Sequence, residues 1–376
     1  MKVLIVSHEY PPIGGGGANA CMYLSKEYAK AGHEVTIVSV WYEGLPETEE
    51  SQGVRIIRVK SKRKHKEHCS FSEMADYLRK AWPVAKQLEK DQHFDICQVF
   101  FGIPSGPIGY MLKKKYHLPY IIRFGGGDIP GFQERFAIVY KVIGPFLRVI
   151  WNHADALIAN SAGLKKMAED FYDKKWIDII YNGVDTDQFY PAAGKSCRSI
   201  DDTIHILFVS RLIERKGLQF IIPKLREFEE KSHKKIRLTI VGDGPYRGEL
   251  EKLAMDNSCM ELIRFEGQKD KSELLPYYQQ ADIFILPSKK EGMPNVVLEA
   301  MACGLPIVMT PCEGSSELVT DNGIISSLDA FADNVIKLCV HAELRQTMGQ
   351  NSLTNINQHF KWERIAGKYL TVLDRK

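Results

Sequence analysis

Short apolar runs alternate with longer amphipathic runs along the whole chain, and the rhythm starts twice. The first series holds "KVLIVSH", "EVTIVSV", "VRIIRVK", "DICQVF", "PYIIRF", "ALIAN" and "DIIYN". The second opens at residue 205 with "HILFVSR" and runs through "IRLTIVGDG", "IRFEG", "DIFILPS", "PIVMT" and "GIIS". Between the runs lie helical stretches such as "ANACMYLSKEYAKAG" and "FSEMADYLRKAWPVAKQLEK". Strands that alternate with helices in this way form parallel sheets covered on both faces. Two such series predict an α/β chain of two Rossmann-like, doubly wound domains facing across a cleft. The expected boundaries are 1–185 for the first domain, 186–204 for a polar linker and 205–357 for the second domain. In sheets of this kind ligands bind beyond the carboxyl ends of the strands. Motifs that follow strands are therefore where function is sought.

Composition excludes several classes. A formal charge of +3 over 376 residues is too mild to argue for nucleic acid. No apolar run approaches the ~20 residues of a membrane span. The opening "MKVLIVSHEY" reads as a strand, because the apolar run is short and no small-residue cleavage site follows. The eight cysteines are scattered without a CxxC pair. Cys21, Cys97, Cys303 and Cys339 lie in apolar stretches and are expected as packed thiols. No metal site and no disulfide framework is expected, and the chain is expected in a reducing cytoplasm.

Three loops follow strands and carry candidate chemistry. "PPIGGGGANA" follows the first strand and opens a helix. Consecutive glycines let backbone amides curl around an anion, and a helix N-terminus adds partial positive charge. A plain flexible turn is the alternative. A dinucleotide fingerprint is disfavoured, since the spacing is not GxGxxG and no acid ends the second strand. "SRLIERKG" follows the first strand of the second series. Arg211 and Lys216, across a strand-to-helix turn, suit a diphosphate, whereas Arg215 is expected to point elsewhere. A solvated basic turn would look the same. In "VGDGPYRGEL" a structural turn accounts for Asp243 better than ligand contact does.

The most informative stretch is "EGMPNVVLEAMACGLPIV", residues 291–308. A strand, "DIFILPS", leads to a rim loop and then to a helix. At the helix start around Pro294, the backbone amides of Met293, Asn295 and Val296 would be orphan donors and make a second anion site. Glu291 precedes the helix and can reach a ligand. Glu299 lies within it, four positions after Asn295. An acid there is repelled by phosphate, but it can accept hydrogen bonds from two adjacent hydroxyls such as those of a ribose. Glu291 can do the same for a hexose. A nucleotide sugar would then be held at both ends, with its diphosphate between them. Glu299 as an ordinary surface residue is the alternative.

These residues resemble the signature of the retaining glycosyltransferases of family four, which have the GT-B fold. Similar blocks run along nearly the whole chain. They include "EYPPIGGGGANACMYLSKEYAKAGHEVTIVS", "ADALIANSAGLKKMA", "IIYNGVDTDQFYP", "VSRLIERKG", "VGDGP" and "FEGQ". The resemblance implies roles. Arg211 and Lys216 would hold the donor diphosphate, Glu291 the sugar and Glu299 the ribose. Gly15 and Gly16 fall where paired glycines approach the β-phosphate and sugar, and Gln268 near the base. The last helix, about 358–376, would cross back onto the first domain. The family often carries a histidine after the fifth strand. Here "RFGGGDIPGF" puts Gly125 in that place and leaves Asp128 to orient an acceptor hydroxyl or the donor.

The implied reaction moves a hexose from a nucleoside diphosphate sugar to an acceptor hydroxyl with retention. Fixed cations would replace a metal, no acidic pair of DxD type follows a strand, and no cofactor is needed. Arg211, Lys216, Glu291 and Asp128 are the catalytic candidates. Closure of the domains would exclude water. The acceptor is expected on a polysaccharide, lipopolysaccharide or lipid-linked glycan. Cations crowd residues 55–68, in "RIIRVKSKRKHKEH", and again in "LKKKYH". They read either as a solvated edge or as a contact with anionic lipid on the inner face of the cell membrane. Two other readings are a catalytically inactive nucleotide-sugar-binding protein and a GT-B enzyme of another reaction type.

Overall fold

A computed structural model describes residues 1–66, 69–132, 137–193 and 203–375. The first series folds as β1 (Lys2–Val6), α1 (Gly16–Lys30), β2 (Glu34–Val40), β3 (Thr48–Ser51), β4 (Val54–Val59), α2 (Phe71–Gln92) and β5 (Ile96–Phe100). It continues through α3 (Gly106–Tyr116), β6 (Tyr120–Arg123), α4 (Ala137–His153), β7 (Ala156–Ala159), α5 (Ala162–Phe171) and β8 (Ile177–Ile179). The second series is β9 (Thr203–Val209), α6 (Leu225–Ser232), β10 (Lys235–Val241), α7 (Arg247–Asp256), β11 (Ile263–Gly267), α8 (Leu275–Gln280) and β12 (Ile283–Leu286). It ends with α9 (Asn295–Ala302), β13 (Ile307–Met309), α10 (Ser315–Leu318), β14 (Gly323–Ile325), α11 (Leu328–Val340) and α12 (Ala342–Asn355). A last helix, α13 (Trp362–Leu373), follows.

The chain forms two compact units, Met1–Asn182 with Trp362–Lys376, and Gly183–Lys361. Unit 1 holds an eight-stranded sheet in the order β3-β4-β2-β1-β5-β6-β7-β8. Every neighbouring pair is parallel except β3 with β4. Unit 2 holds a six-stranded, all-parallel sheet in the order β11-β10-β9-β12-β13-β14. Val3 to Val6 and Ile283 to Leu286 are fully buried, as expected of central strands covered on both faces. In each sheet the strand order reverses beside the first strand, between β1 and β5 in unit 1 and between β9 and β12 in unit 2. Loops diverge there and leave a crevice at the carboxyl ends.

Two expectations need correction, and β3 is an addition to the strands expected. β3 has no apolar run; "TEES" is an exposed edge strand, paired antiparallel with β4 and tied to Arg58 through Glu49 at 2.7 Å. The segment expected as a linker from 186 is packed body of unit 2 at its start. Phe189 is fully buried, edge-on to Tyr278 at 5.6 Å. Residues 194–202 of that segment lie outside the described residues. The last helix begins at Trp362 rather than near 358, and residues up to Lys361 belong to unit 2. Trp362 stacks on Tyr23 of α1 with ring centroids 5.4 Å apart. An aromatic pair of this kind contributes ~1 kcal/mol beyond burial and anchors α13 in unit 1.

The turn after β10 interlocks with the turn after β9. Leu212 N–H donates to Asp243 O at 2.9 Å, and Tyr246 N–H to Leu212 O at 3.1 Å. Gly242 adopts φ +136°, and a Cβ there would overlap the Ser210 carbonyl. Gly248, in α7, faces open space. Gly242→Ala should therefore cost about 3 kcal/mol or more of unfolding free energy. Gly248→Ala should be neutral or gain about 0.5 kcal/mol. Thermal unfolding of the two variants checks the contrast, and equal midpoints would contradict the interlocked turn.

Candidate active site

In unit 2 the crevice between β9 and β12 gathers the charged groups that sequence separates. Arg211 follows β9 and is exposed. The chain then turns through Glu214–Lys216 to Gly217, whose φ is +80° and where a Cβ would overlap the Pro287 carbonyl. That close approach presses the turn onto the end of β12. Lys216 Nζ consequently lies 2.5 Å from Glu291 Oε1, and both side chains are 12% exposed. The Ser288 hydroxyl donates to the same Oε1 at 2.7 Å. Burial lowers the Lys216 ammonium pKa, Glu291 opposes that shift, and the charges of Arg215 and Arg211 add to it. Arg215, expected to point elsewhere, stays beside the cluster: it donates to the Lys290 carbonyl at 2.5 Å, and its charge acts on Lys216 ahead of that of Arg211. Asp243 is a turn residue, accepting from Gly244 N–H at 2.7 Å and facing Arg247 at 3.1 Å.

Glu291 and Glu299 have different surroundings. α9 starts at Asn295 with Pro294 at its N-cap, no side-chain cap and no acid in its first turn. Its dipole therefore favours an anion at that end. Met293 is buried, and Asn295 and Val296 are half-buried. Glu299, deeper in the helix, is buried rather than a surface residue. It accepts from the Tyr278 hydroxyl at 2.9 Å and faces Lys271 Nζ at 3.6 Å. Burial pushes its carboxyl pKa up, against the pull of Lys271 and Tyr278. Gln268 follows β11 at the sheet's edge and is exposed. Ser288, Tyr278 and Lys271 were not anticipated, and no local pattern marks them.

In unit 1 the glycine loop follows β1. Gly14 has φ +95°, Gly15 is the N-cap of α1, and Gly16 is its first residue. The group lying against this loop is the chain's own Glu9. Its carboxylate takes a hydrogen bond from the Gly15 backbone, and a Cβ on Gly14 would overlap it. Arg63 lies 3.5 Å from Glu9 and is nearly inaccessible. Burial raises the Glu9 pKa, and Arg63 opposes the rise. His8 beside it is pushed down to about 3 by burial and then by Arg63, so the imidazole is neutral at physiological pH. Its ring meets Phe101 edge-on at 4.7 Å. Asp128 is buried and braces two loops, accepting from Gly102 N–H at 2.6 Å and Gly125 N–H at 2.8 Å. Burial raises its pKa, and those two amides hold it back.

The basic stretch 55–68 is divided by the fold. Arg58 is buried against Glu49, and Arg63 against Glu9. Lys60 pairs with Glu47. Lys62, Lys64 and Lys66 are exposed, while residues 67 and 68 lie outside the described residues. The seven described cysteines are free, and Cys21, Cys97, Cys303 and Cys339 are buried. Among the described residues no cluster of three or more His, Cys, Asp or Glu side chains could hold a metal ion. No described helix is long and apolar enough to cross a membrane.

Two family models match the chain in series. One, described as Glycosyltransferase Family 4, covers residues 14–188; the other, Glycosyl transferases group 1, covers residues 203–341. The chain belongs to the group 1 glycosyltransferases. Its fold is GT-B. The sucrose-phosphate synthase of Thermosynechococcus elongatus superposes with a TM-score of 0.80 at 19% identity, covering 99% of this chain and 98% of that one. Anabaena HepE, solved in complex with UDP-glucose, superposes at 0.74 and 17% identity over the full length of both chains. A GDP-mannose-dependent α-(1-6)-phosphatidylinositol monomannoside mannosyltransferase of Mycobacterium tuberculosis is 25% identical over 98% of this chain and 96% of its own.

At Gly125, where the resemblance implied a histidine, this group 1 glycosyltransferase has no room for a side chain. Phe101, at the end of β5, takes the left-handed conformation with φ +70°. Its ring fills the space where a Cβ on Gly125 or on Gly17 would stand. A histidine at 125 and a phenylalanine at 101 are therefore mutually exclusive in this backbone. Gly125→His should lower the melting temperature by several degrees, from overpacking of about 1–3 kcal/mol. Adding Phe101→Gly should recover much of that loss. Additive losses in thermal unfolding of the double variant would contradict the shared-space account.

Proposed function

We propose that this glycosyltransferase moves a hexose from a nucleoside diphosphate sugar to a hydroxyl of a glycan or glycolipid acceptor, with retention at the anomeric carbon. The observation that carries the reading is the Lys216–Glu291–Ser288 constellation at the strand-order reversal of unit 2. A cation and an acid there suit the two halves of one ligand. Lys216 and Arg211 hold the diphosphate, aided by the α9 start at Met293, Pro294, Asn295 and Val296. Glu291, still held by Ser288, accepts from sugar hydroxyls. Glu299 serves the ribose and Gln268 the base, whereas the Gly15 amide is already taken by Glu9, so the loop at Gly15 and Gly16 is given no phosphate here.

The chemistry needs stabilisation of the leaving group. As the bond from the anomeric carbon to the phosphate oxygen breaks, negative charge grows on the diphosphate. The acceptor oxygen attacks from the same face, and its proton passes to the departing phosphate oxygen. Preorganised donors at such a charge are each worth about 3–4 kcal/mol in the transition state. Lys216 and Arg211 supply fixed positive charge, so the proposed reaction is metal-independent. Asp128 acts by bracing the loops after β5 and β6. The complexes of Anabaena HepE with UDP-glucose and the mycobacterial mannosyltransferase's dependence on GDP-mannose support a nucleotide-sugar donor. The phosphatidylinositol monomannoside in that mannosyltransferase's name supports a lipid-linked acceptor.

A thermal-shift screen against UDP-, GDP- and ADP-sugars should single out one base, and NMR of the product's anomeric proton should report retention. Lys216→Ala and Glu291→Gln should each lower transfer by about 10²–10³-fold. Ser288 still contacts residue 291 in the second variant, so its melting temperature should stay near wild type. Wild-type transfer rates in either variant would overturn the assignment.

A further inference from the structure

One helix of unit 1 presents an apolar face that the donor chemistry does not use. On α4, Ile138 is 79% exposed, Val142 75%, Phe146 48% and Val149 40%. With Pro145 they recur at the three- and four-residue spacing of a single helical face. The opposite face, with Tyr140, Leu147, Ile150 and Trp151, is buried in the core. Lys141 and Arg148, seven residues apart and both exposed, line one edge of the apolar stripe. Contiguous exposed apolar surface on this scale marks a contact with something else.

Charge decides between candidate occupants. Neither α3 nor α4 contains an aspartate or glutamate. α3 ends beside the end of α4, since Lys113 Nζ donates to the His153 carbonyl at 3.0 Å and Tyr110 meets the His153 ring at 5.2 Å. Lys114 and Lys115 are exposed there. Among the described residues, acids of the neighbouring elements are occupied: Asp155 pairs with Lys113, and Glu169 and Asp170 of α5 pair with Lys165 and Lys166. An apolar stripe flanked, among the described residues, by the exposed cations Lys141, Arg148, Lys114 and Lys115 matches an anionic bilayer surface, where apolar side chains enter the acyl boundary and cations meet headgroups. A second copy meeting this face across a two-fold axis would bring Lys141 and Arg148 against themselves or each other.

We propose that α4, with the lysine-rich end of α3, docks unit 1 on an anionic lipid surface. The exposed lysines at 62, 64 and 66 contribute little by comparison, because no apolar stripe accompanies them. The inference stands independently of the donor assignment. Sedimentation of the full-length protein with phosphatidylcholine vesicles, with and without phosphatidylglycerol, tests it. Wild type should pellet with the anionic vesicles and stay in solution with the neutral ones. Ile138→Glu/Val142→Glu should reduce binding at least tenfold at an unchanged melting temperature. Lys141→Glu, at a single exposed position, should weaken it several-fold and reduce its salt dependence. Lys62→Ala/Lys64→Ala should change it little. No wild-type binding, or equal binding by the Ile138→Glu/Val142→Glu variant, would overturn the proposal. So would a concentration-dependent dimer that this variant abolishes, which would assign the face to a second copy.

Discussion

Each sheet of this chain reverses its strand order once, and that reversal puts distant residues into contact. Lys216 and Glu291 meet because β9 and β12 are neighbours although β10 and β11 intervene in sequence. Loops leaving two such strands diverge to opposite faces, so the space between them cannot be filled by either helix. Gly217 fixes how closely they approach, since its missing Cβ lets the turn rest on the Pro287 carbonyl. The same reversal in unit 1, between β1 and β5, brings His8 against Phe101. One topological rule thus generates both clusters, and side-chain identity then makes them different.

Strands were legible because buried parallel strands read as continuous apolar runs, and the runs at 2–6 and 283–286 are of that kind. β3 was not, because an edge strand satisfies its ladder through the backbone and needs no apolar residues. The site was legible in part for the same reason. Motifs after strands point to the carboxyl rim, so Arg211, Lys216 and Glu291 could be placed there. Their pairing could not be read, since ion pairs across strands carry no local pattern. Phe189 and Arg63 mark the limit more sharply. Both lie in polar, charged sequence that resembles linker or surface, yet one fills a core position beside Tyr278 and the other neutralises Glu9.

Arg63 also explains why a basic segment need not be a basic surface. An arginine withdrawn from water requires an acid, and Glu9 withdrawn from water requires a cation. Arg63 further donates to the carbonyls of His65 and Lys66, while Gly14 N–H donates to Lys66 O. The segment after β4 is thereby stitched over the glycine loop. Its cation count overstates its reach toward a membrane, whereas α4, with fewer cations and no acid, carries the exposed apolar area that lipid binding needs.

The two clusters finally differ in how replaceable their contacts are. In unit 1 the ionisable groups are committed: His8 is neutral, Asp128 spends both oxygens on backbone amides, and Glu9 is enclosed with Arg63. Removing Asp128 or Glu9 would strand a buried partner, so these two serve as scaffold. In unit 2 Lys216 and Glu291 retain some solvent access, and Arg211 is exposed. A ligand carrying both an anion and hydroxyls can offer each of the pair a substitute partner without leaving either one bare. An exchange of that kind costs far less than breaking a fully buried pair. A rim whose charges hold one another until such a ligand arrives stays folded without it and remains able to bind it.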